Sequence, residues 1–295
     1  MALIPNYPMV NLGNLYVQGG RMAYVAGSTH TFTVAAGQFR DQSNTNDIIL
    51  AATTPSLLVS GLNGIDTGSV AASTVYYVYA VGSSVYGAND GQDAGAPQGV
   101  GPTPGVTTTV PAGTYPASYV PAGILLSTAL PSVGPTLPVN YDMWRRIGAI
   151  RTTAGSLVEP FVQTGYGNNR TMRYMTPVAP ASAAVAGTTS YATIGVLTTI
   201  VPQVACDVIL ECSMAPATAG DSLYLAPYGN TVAPGGYEAR FSAPVVQPAA
   251  QWMTITCPCA FNAAGTPIVE VDYATTAGAG TTAVSFVVSG YTDVL

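Results

Sequence analysis

Thr74-Val75-Tyr76-Tyr77-Val78-Tyr79-Ala80-Val81 is a run of β-branched and aromatic residues, the side chains that strands prefer. Other stretches repeat the signal in alternating form. Ile268 to Tyr273 puts Val269, Val271 and Tyr273 on one face and Glu270 and Asp272 on the other. Val284, Phe286 and Val288 alternate with Ser285, Val287 and Ser289. Val204 to Cys212 puts Val204, Cys206, Val208, Leu210 and Cys212 on one face, with Asp207 and Glu211 opposite. This period of two is that of a half-buried antiparallel strand. No window of about 11 residues or more carries a helical stripe. Asn63-Gly64 and Gly235-Gly236 are hairpin dipeptides, and the prolines are spread as edges and loops tolerate them. The chain reads as all-β and mostly antiparallel.

Length allows one large domain or two of ordinary size, because 295 residues can bury roughly three-quarters of their unfolded surface. Two stretches lack alternation. Residues 82–123 are rich in Gly, Pro, Thr, Ala and Asn, a loop long enough to be functional or mobile. Residues 176–190, TPVAPASAAVAGTTS, read as a linker. The expectation is a β domain over 1–175 carrying the long loop, then the linker. A C-terminal domain over 191–295, with six or seven strands, has the rhythm of a β-sandwich or jelly roll. There is no internal repeat.

Composition removes several classes of chemistry. Charged residues are 7% of the chain, where about a quarter is usual. With 48% hydrophobic residues, charge-driven disorder is excluded. All eight basic residues are arginines, so Schiff-base chemistry and a Walker A lysine are excluded. His30 is the one histidine, so one chain cannot supply two histidine ligands. The net charge of −6 argues against a nucleic-acid-binding molecule. No run of about 18 apolar residues reads as a membrane-spanning helix, and no secretory signal is visible at Met1-Ala2-Leu3-Ile4-Pro5.

Each candidate reactive group has a plain structural reading. Cys206, Cys212, Cys257 and Cys259 could be thiolate ligands, but their spacing does not match zinc knuckles. They could also be paired in disulfides, or be small buried hydrophobes on an apolar face, the reading favoured here. His30 lies in an ordinary strand pattern, and no Gly-x-Ser-x-Gly elbow accompanies it. No spacing among the fourteen acids marks a catalytic pair. Asp90 and Asp93 sit in a glycine-rich stretch where turn formation explains them, and the downstream glutamate of an EF-hand loop is missing. No catalytic residue, metal site or cofactor is assigned.

Two distributions remain. Arg145, Arg146, Arg151, Arg170 and Arg173 fall within one short window, offset there by Glu159. The pattern fits docking onto an acidic partner, and equally a solvated strand pair with local salt bridges. Tyr76, Tyr77 and Tyr79 precede Tyr86, Tyr115 and Tyr119 of the long loop. Tyrosine suits a binding surface, and is just as common in strands. Tyr86, Asp90, Asp93, Tyr115 and Tyr119 are the exposed-loop candidates.

One ordered set of blocks resembles a known family. Phe32-Thr33-Val34-Ala35-Ala36-Gly37-Gln38-Phe39-Arg40-Asp41 is followed by Asn44-Thr45-Asn46-Asp47-Ile48 and Asn63-Gly64-Ile65-Asp66-Thr67-Gly68-Ser69. Then come Gly123-Ile124-Leu125-Leu126-Ser127, Pro135-Thr136-Leu137-Pro138 and Arg145-Arg146-Ile147-Gly148-Ala149-Ile150-Arg151-Thr152. Together they resemble a domain of minor virion proteins of tailed bacteriophages, tail-fibre-like or decoration proteins, over about residues 15–175. The resemblance implies a non-enzymatic structural protein on the outside of the particle, a capsid decoration or short fibre. It implies a homo-oligomer, with a trimer favoured, contacts to other capsid or tail proteins, and synthesis in the host cytoplasm. No nucleic acid and no membrane insertion are expected, and no catalytic position is carried over. The N-terminal Ile4-Pro5-Asn6-Tyr7-Pro8-Met9 reads as an extended arm that docks onto a neighbour. The alternative is a tail adhesin that binds, or cuts, a host surface glycan.

Overall fold

The structure is a computed structural model, and it describes residues 16–27, 29–84, 121–180, 184–186, 188, 190–194, 197–216, 221–229, 239–242, 251–261, 267–276 and 282–295. The candidates Tyr86, Asp90, Asp93, Tyr115 and Tyr119 and the segment Ile4–Met9 lie outside the described residues. Among the described residues there are strands, turns and bends but no helix, and so none that could cross a membrane. The protein is all-β.

The first strands are β1 (Val17–Gly19), β2 (Met22–Tyr24), β3 (Phe32–Val34), β4 (Gly37–Arg40), β5 (Asp47–Leu50) and β6 (Gly64–Ile65). The long strands β7 (Val75–Gly82), β8 (Gly123–Ser127), β9 (Met143–Arg151), β10 (Phe161–Tyr166) and β11 (Asn169–Val178) follow. The remainder are β12 (Ala184–Ala186), β13 (Ala192–Thr193), β14 (Ala205–Pro216), β15 (Ser222–Pro227) and β16 (Ala239–Ser242), then β17 (Gln251–Pro258), β18 (Ala260–Phe261), β19 (Pro267–Ile268), β20 (Val271–Thr275) and β21 (Thr282–Val294).

These pair as β1-β4-β5, β2-β3, β6-β8-β7-β9, β10-β11-β21-β14-β17, β13-β20-β15-β16 and β18-β19, with β12 also pairing β21. Every pairing is antiparallel except β6 with β8. The run that opened the sequence reading is β7, flanked by β8 and β9. Both of its faces are buried, which is why it reads as continuously apolar. Tyr76, Val78 and Ala80 enter the main core, and Tyr77, Tyr79 and Val81 enter a second cluster with Leu125 and Ala149. The tyrosine hydroxyls are not stranded. Tyr79 donates to Ala129 O at 3.0 Å, Tyr76 accepts from Ala71 N at 2.8 Å, and Tyr77 accepts from Gln203 N at 3.1 Å. These three tyrosines therefore stabilise the interior and offer no ligand surface.

The C-terminal strands make a sandwich. Val208, Leu210, Cys212 and Met214 of β14 and Val284, Phe286 and Val288 of β21 share one core with Leu223, Leu225, Val271 and Tyr273 of the other sheet. The Tyr273 and Phe286 rings meet at 5.2 Å between centroids. Val269, Val271 and Tyr273, and Val284, Phe286 and Val288, thus enter the core as the pattern put them, whereas Asp272 and Ser289 of the opposite faces are buried as well. Cys212, Cys257 and Cys259 are buried free thiols. Cys206 departs from its pattern: it is half-buried and is the extra residue where Ala205 pairs Asp293 and Asp207 pairs Thr292. A bulge of this kind re-aims the side chain and shifts the alternation.

The expected linker at 176–190 differs from its reading. Its first residues complete β11, and Ala184–Ala186 form β12 against Ala283–Ser285 of β21. One sheet runs from β10 and β11 into β21, β14 and β17, and one buried cluster extends from Val17 to Tyr291. The two expected β regions share both sheet and core. Small, uncharged residues suit a linker, but they also pair through backbone bonds that composition does not reveal.

Candidate functional site

Two bulged strands build a buried polar region. In β9, Val78 pairs Gly148 and Tyr79 pairs Arg146, so Ile147 is extra. In β21, Ile209 pairs Gly290 and Leu210 pairs Val288, so Ser289 is extra. Bulges bend and twist their strands. Here the bent ends of β9 and β21 meet, and Tyr291 donates its hydroxyl to Ala149 O at 3.0 Å.

Four of the five clustered arginines lie in this interior. Arg145, Arg146, Arg151 and Arg170 are each between 5% and 8% exposed, whereas Arg173 is exposed. Arg146 forms an ion pair with Asp293 Oδ2 and donates to Val294 O at 2.9 Å. Arg151 donates to Glu159 Oε2 at 2.6 Å and to Thr199 O at 3.0 Å. Arg170 donates to Gly20 O at 2.8 Å, Ile147 O at 3.2 Å and Gly167 O at 3.2 Å, and also to Gly19 O. Burial pulls the Arg170 guanidinium down to about 10, with Asp293 acting in the opposite sense. Burial also lowers Arg145, with Arg146 beside it. The second oxygen of Asp293 has no hydrogen-bond partner among the described residues. Asp293 borders a cavity of about 10 Å3, close to the room one water needs.

The sequence cluster is therefore not a surface patch. Arg146 and Arg170 fasten β9, β11 and β21 to one another and to the turn that precedes β2. The four buried guanidinium groups are unavailable to an outside partner, and Arg173 donates to Ser289 Oγ at 2.9 Å. The signal that a local window could not carry is the partner: Arg146 and Asp293 are 147 positions apart.

Several acids among the described residues are likewise spent singly on structure. Asp41 closes the β4–β5 loop: Oδ1 accepts from Thr45 N at 2.8 Å and Asn46 N at 3.0 Å, and Oδ2 accepts from Ser43 Oγ at 2.6 Å. This is the physical content of the Arg40-Asp41…Asn44-Thr45-Asn46-Asp47 block, a hairpin cap. Asp66 accepts from Thr67 N at 2.7 Å and Thr136 N at 2.9 Å, and Asp272 accepts from Thr193 Oγ1 and Gly229 N, each at 2.8 Å. His30 Nδ1 lies 2.8 Å from Thr29 Oγ1. Among the described residues, no three His, Cys, Asp or Glu side chains are grouped to hold a metal.

Three further features remain. The first is the tied end of the β7–β8 pair. β7 and β8 pair up to Val81 and Gly123, so the chain leaves and returns at adjacent points. Both points are tied to one place. Asp142 Oδ1 accepts from Ser84 N at 2.7 Å and Oδ2 accepts from Ser84 Oγ, while Tyr141 donates to Pro121 O at 2.7 Å. The end of the β7–β8 pair is thus tied on both strands to the Tyr141–Asp142 turn. The second feature is a groove of about 630 Å3 between β2, β3 and β10, lined by Met22, Tyr24, Val34 and Phe161 with Val162 and Met175. A smaller pocket of about 280 Å3 is lined by Ser73, Thr74, Thr128, Thr198, Thr199 and Gln203, with Tyr77. Tyr77 is 3% exposed, so that pocket has no open aromatic face on which a sugar could stack.

Scans against protein families and curated proteins gave no match. Among solved structures, a chain from a crystal structure of the T13 IBDV viral particle aligns over 95% of this chain and 68% of that chain, with 14% identity and a TM-score of 0.19. A chain from Infectious Bursal Virus derived T=1 particles aligns over 95% of this chain and 65% of that one, with 14% identity and a TM-score of 0.18. Similarity at that level fixes neither the fold nor the function of this chain.

Proposed function

We propose that the protein is a non-enzymatic structural component of a virus particle, of the tailed-bacteriophage kind its ordered blocks resemble. It sits on the outside as a homo-oligomer, as capsid decoration or a short fibre. The observation that carries this reading is the use of charge. The chain has only eight cations, four of them are buried, and the acids at the polar clusters are spent on loops and ion pairs. What is left outside is a surface low in charge. Interface cores are depleted in charged residues, so such a surface suits close packing against copies of itself and other coat proteins. Reactive side chains are held apart in separate structural roles, which fits a scaffold better than a catalyst. The stretch 82–123, which the sequence reads as a long loop, is the proposed place for outward contact.

The test is the copy number of this chain in purified particles, by quantitative mass spectrometry against the major capsid protein. On the order of hundreds of copies supports capsid decoration, and a few to a few dozen supports a fibre, collar or baseplate part. Absence from the particle overturns the reading. Release of reducing sugar from host polysaccharide by the purified protein would replace it with a depolymerising adhesin.

A further inference from the structure

We propose that the groove between β2, β3 and β10 is the seat of the chain's own N-terminal segment, residues 1–15. The groove is apolar and open, and its rim leaves large side chains in water: Val162 is 47% exposed and Met175 is 56% exposed. A patch of that kind on an otherwise ordinary surface marks a docking site. It lies along an unfinished edge. β10 is the last strand of its sheet and β2 pairs with β3. Across the gap, Arg21 Nη2 donates to Gln163 O at 3.1 Å and Met22 N donates to Gln163 Oε1 at 2.7 Å.

The place where the described chain begins selects the occupant. It starts at Tyr16, immediately before β1. Gly19 and Gly20, with φ of 74° and 62°, turn the backbone from β1 directly into Arg21 and Met22 in the groove wall. A side chain at Gly20 would meet the Phe39 ring at 2.5 Å, so the turn requires glycine. Fifteen residues can span about 50 Å when extended, enough to reach this groove in the same chain or in an adjacent copy.

The chemistry matches as well. Residues 1–15 contain no charged side chain and carry Leu3, Ile4, Tyr7, Met9, Val10 and Leu12. Pro5 and Pro8 rule out an uninterrupted helix or ladder there, so the segment docks through its side chains. The one cation in the groove wall, Arg21, is already bonded to Gln163 O. The segment brings no charged side chain of its own to strip of water against this groove. This docking is independent of where the protein sits in a particle.

Cross-linking in the full-length chain tests it. Tyr7→Cys is combined with Val162→Cys, and separately with Met175→Cys, at the two exposed rim positions. Tyr7→Cys with Val139→Cys is the control, because Val139 is 87% exposed and does not line the groove. Unchanged melting of each variant confirms folding. With a short bismaleimide, both rim pairs should link about tenfold more than the control, as a raised effective concentration requires. Linkage within one chain places the segment in its own groove, and linkage between chains makes it an exchanged arm. Yields equal to the control at both rim positions overturn the proposal.

Discussion

Arg170 is held by four carbonyl oxygens, those of Gly19, Gly20, Ile147 and Gly167, and each belongs to a turn, a strand end or a bulge. A guanidinium serves here because its donors form a fixed planar fork that reaches several acceptors at once. Arg170→Met keeps most of the buried stem and strands these acceptors. It should cost about 3 kcal/mol, read as a fall in the urea midpoint at constant slope. Arg170→Lys should recover part of that loss, and a change within about 0.5 kcal/mol for Arg170→Met would remove the arginine from the framework. The buried thiols give a pH test. Burial pushes Cys212 and Cys259 up to about 12. A thiol whose folded pKa is raised keeps its proton where the unfolded chain has lost it. Its contribution is complete below about pH 9 and is lost as pH rises toward 12. Tyr77, Tyr79, Tyr174, Tyr273 and Tyr291 are raised by burial in the same sense. Arg145 and Arg170, lowered by burial, act against them but are fewer. The melting temperature should therefore fall steadily above about pH 9, and less steeply in Cys212→Val. A flat alkaline profile would contradict the burial of these groups.

At the scale of elements, the two bulges decide the architecture. Gly148 and Gly290 have φ of 156° and 159°, which side-chain-bearing residues rarely adopt, so alanine is strained at both. The costs differ by what a methyl group would meet. At Gly290 it would lie 2.1 Å from Met172 O, a backbone atom in the neighbouring strand that cannot yield without opening the β11–β21 ladder. At Gly148 it would meet the end of the Met22 side chain, which can swing away. Gly290→Ala should cost about 3 kcal/mol and Gly148→Ala clearly less, by urea denaturation, and the reverse order would contradict the packing described. The strands themselves were legible: β7, β20 and β21 stand where their residue patterns put them. The bulges were not, because one extra residue such as Ser289 leaves no mark in an alternation read from a single strand. The segment 176–190 misled for a related reason. Its small residues look like a linker, yet Ala184–Ala186 add to β21 by backbone bonds that any residue but proline can make. The arginine cluster looked like a surface because its members are close in sequence. Asp293, which makes burial tolerable, is close only in space.

At the scale of the molecule, the shared sheet predicts cooperativity. Were 1–175 and 191–295 separate units, heating would give two transitions. With β11 paired to β21 along Asn169–Arg173, one transition is expected, with a calorimetric enthalpy near 200 kcal/mol at about 60 °C that matches the van't Hoff value. Two resolved transitions would restore the boundary at 176–190. The central claim concerns charge: half of the cations are spent inside, and a surface low in charge makes the proposed contacts between copies. Sedimentation velocity of the purified chain, at about 0.05 M and about 1 M salt, addresses this most directly, since salt screens exposed ion pairs and leaves apolar contacts intact. The account predicts one homo-oligomer of the same size at both salt concentrations. A complex that falls apart in high salt, or a monomer at every protein concentration, would contradict it.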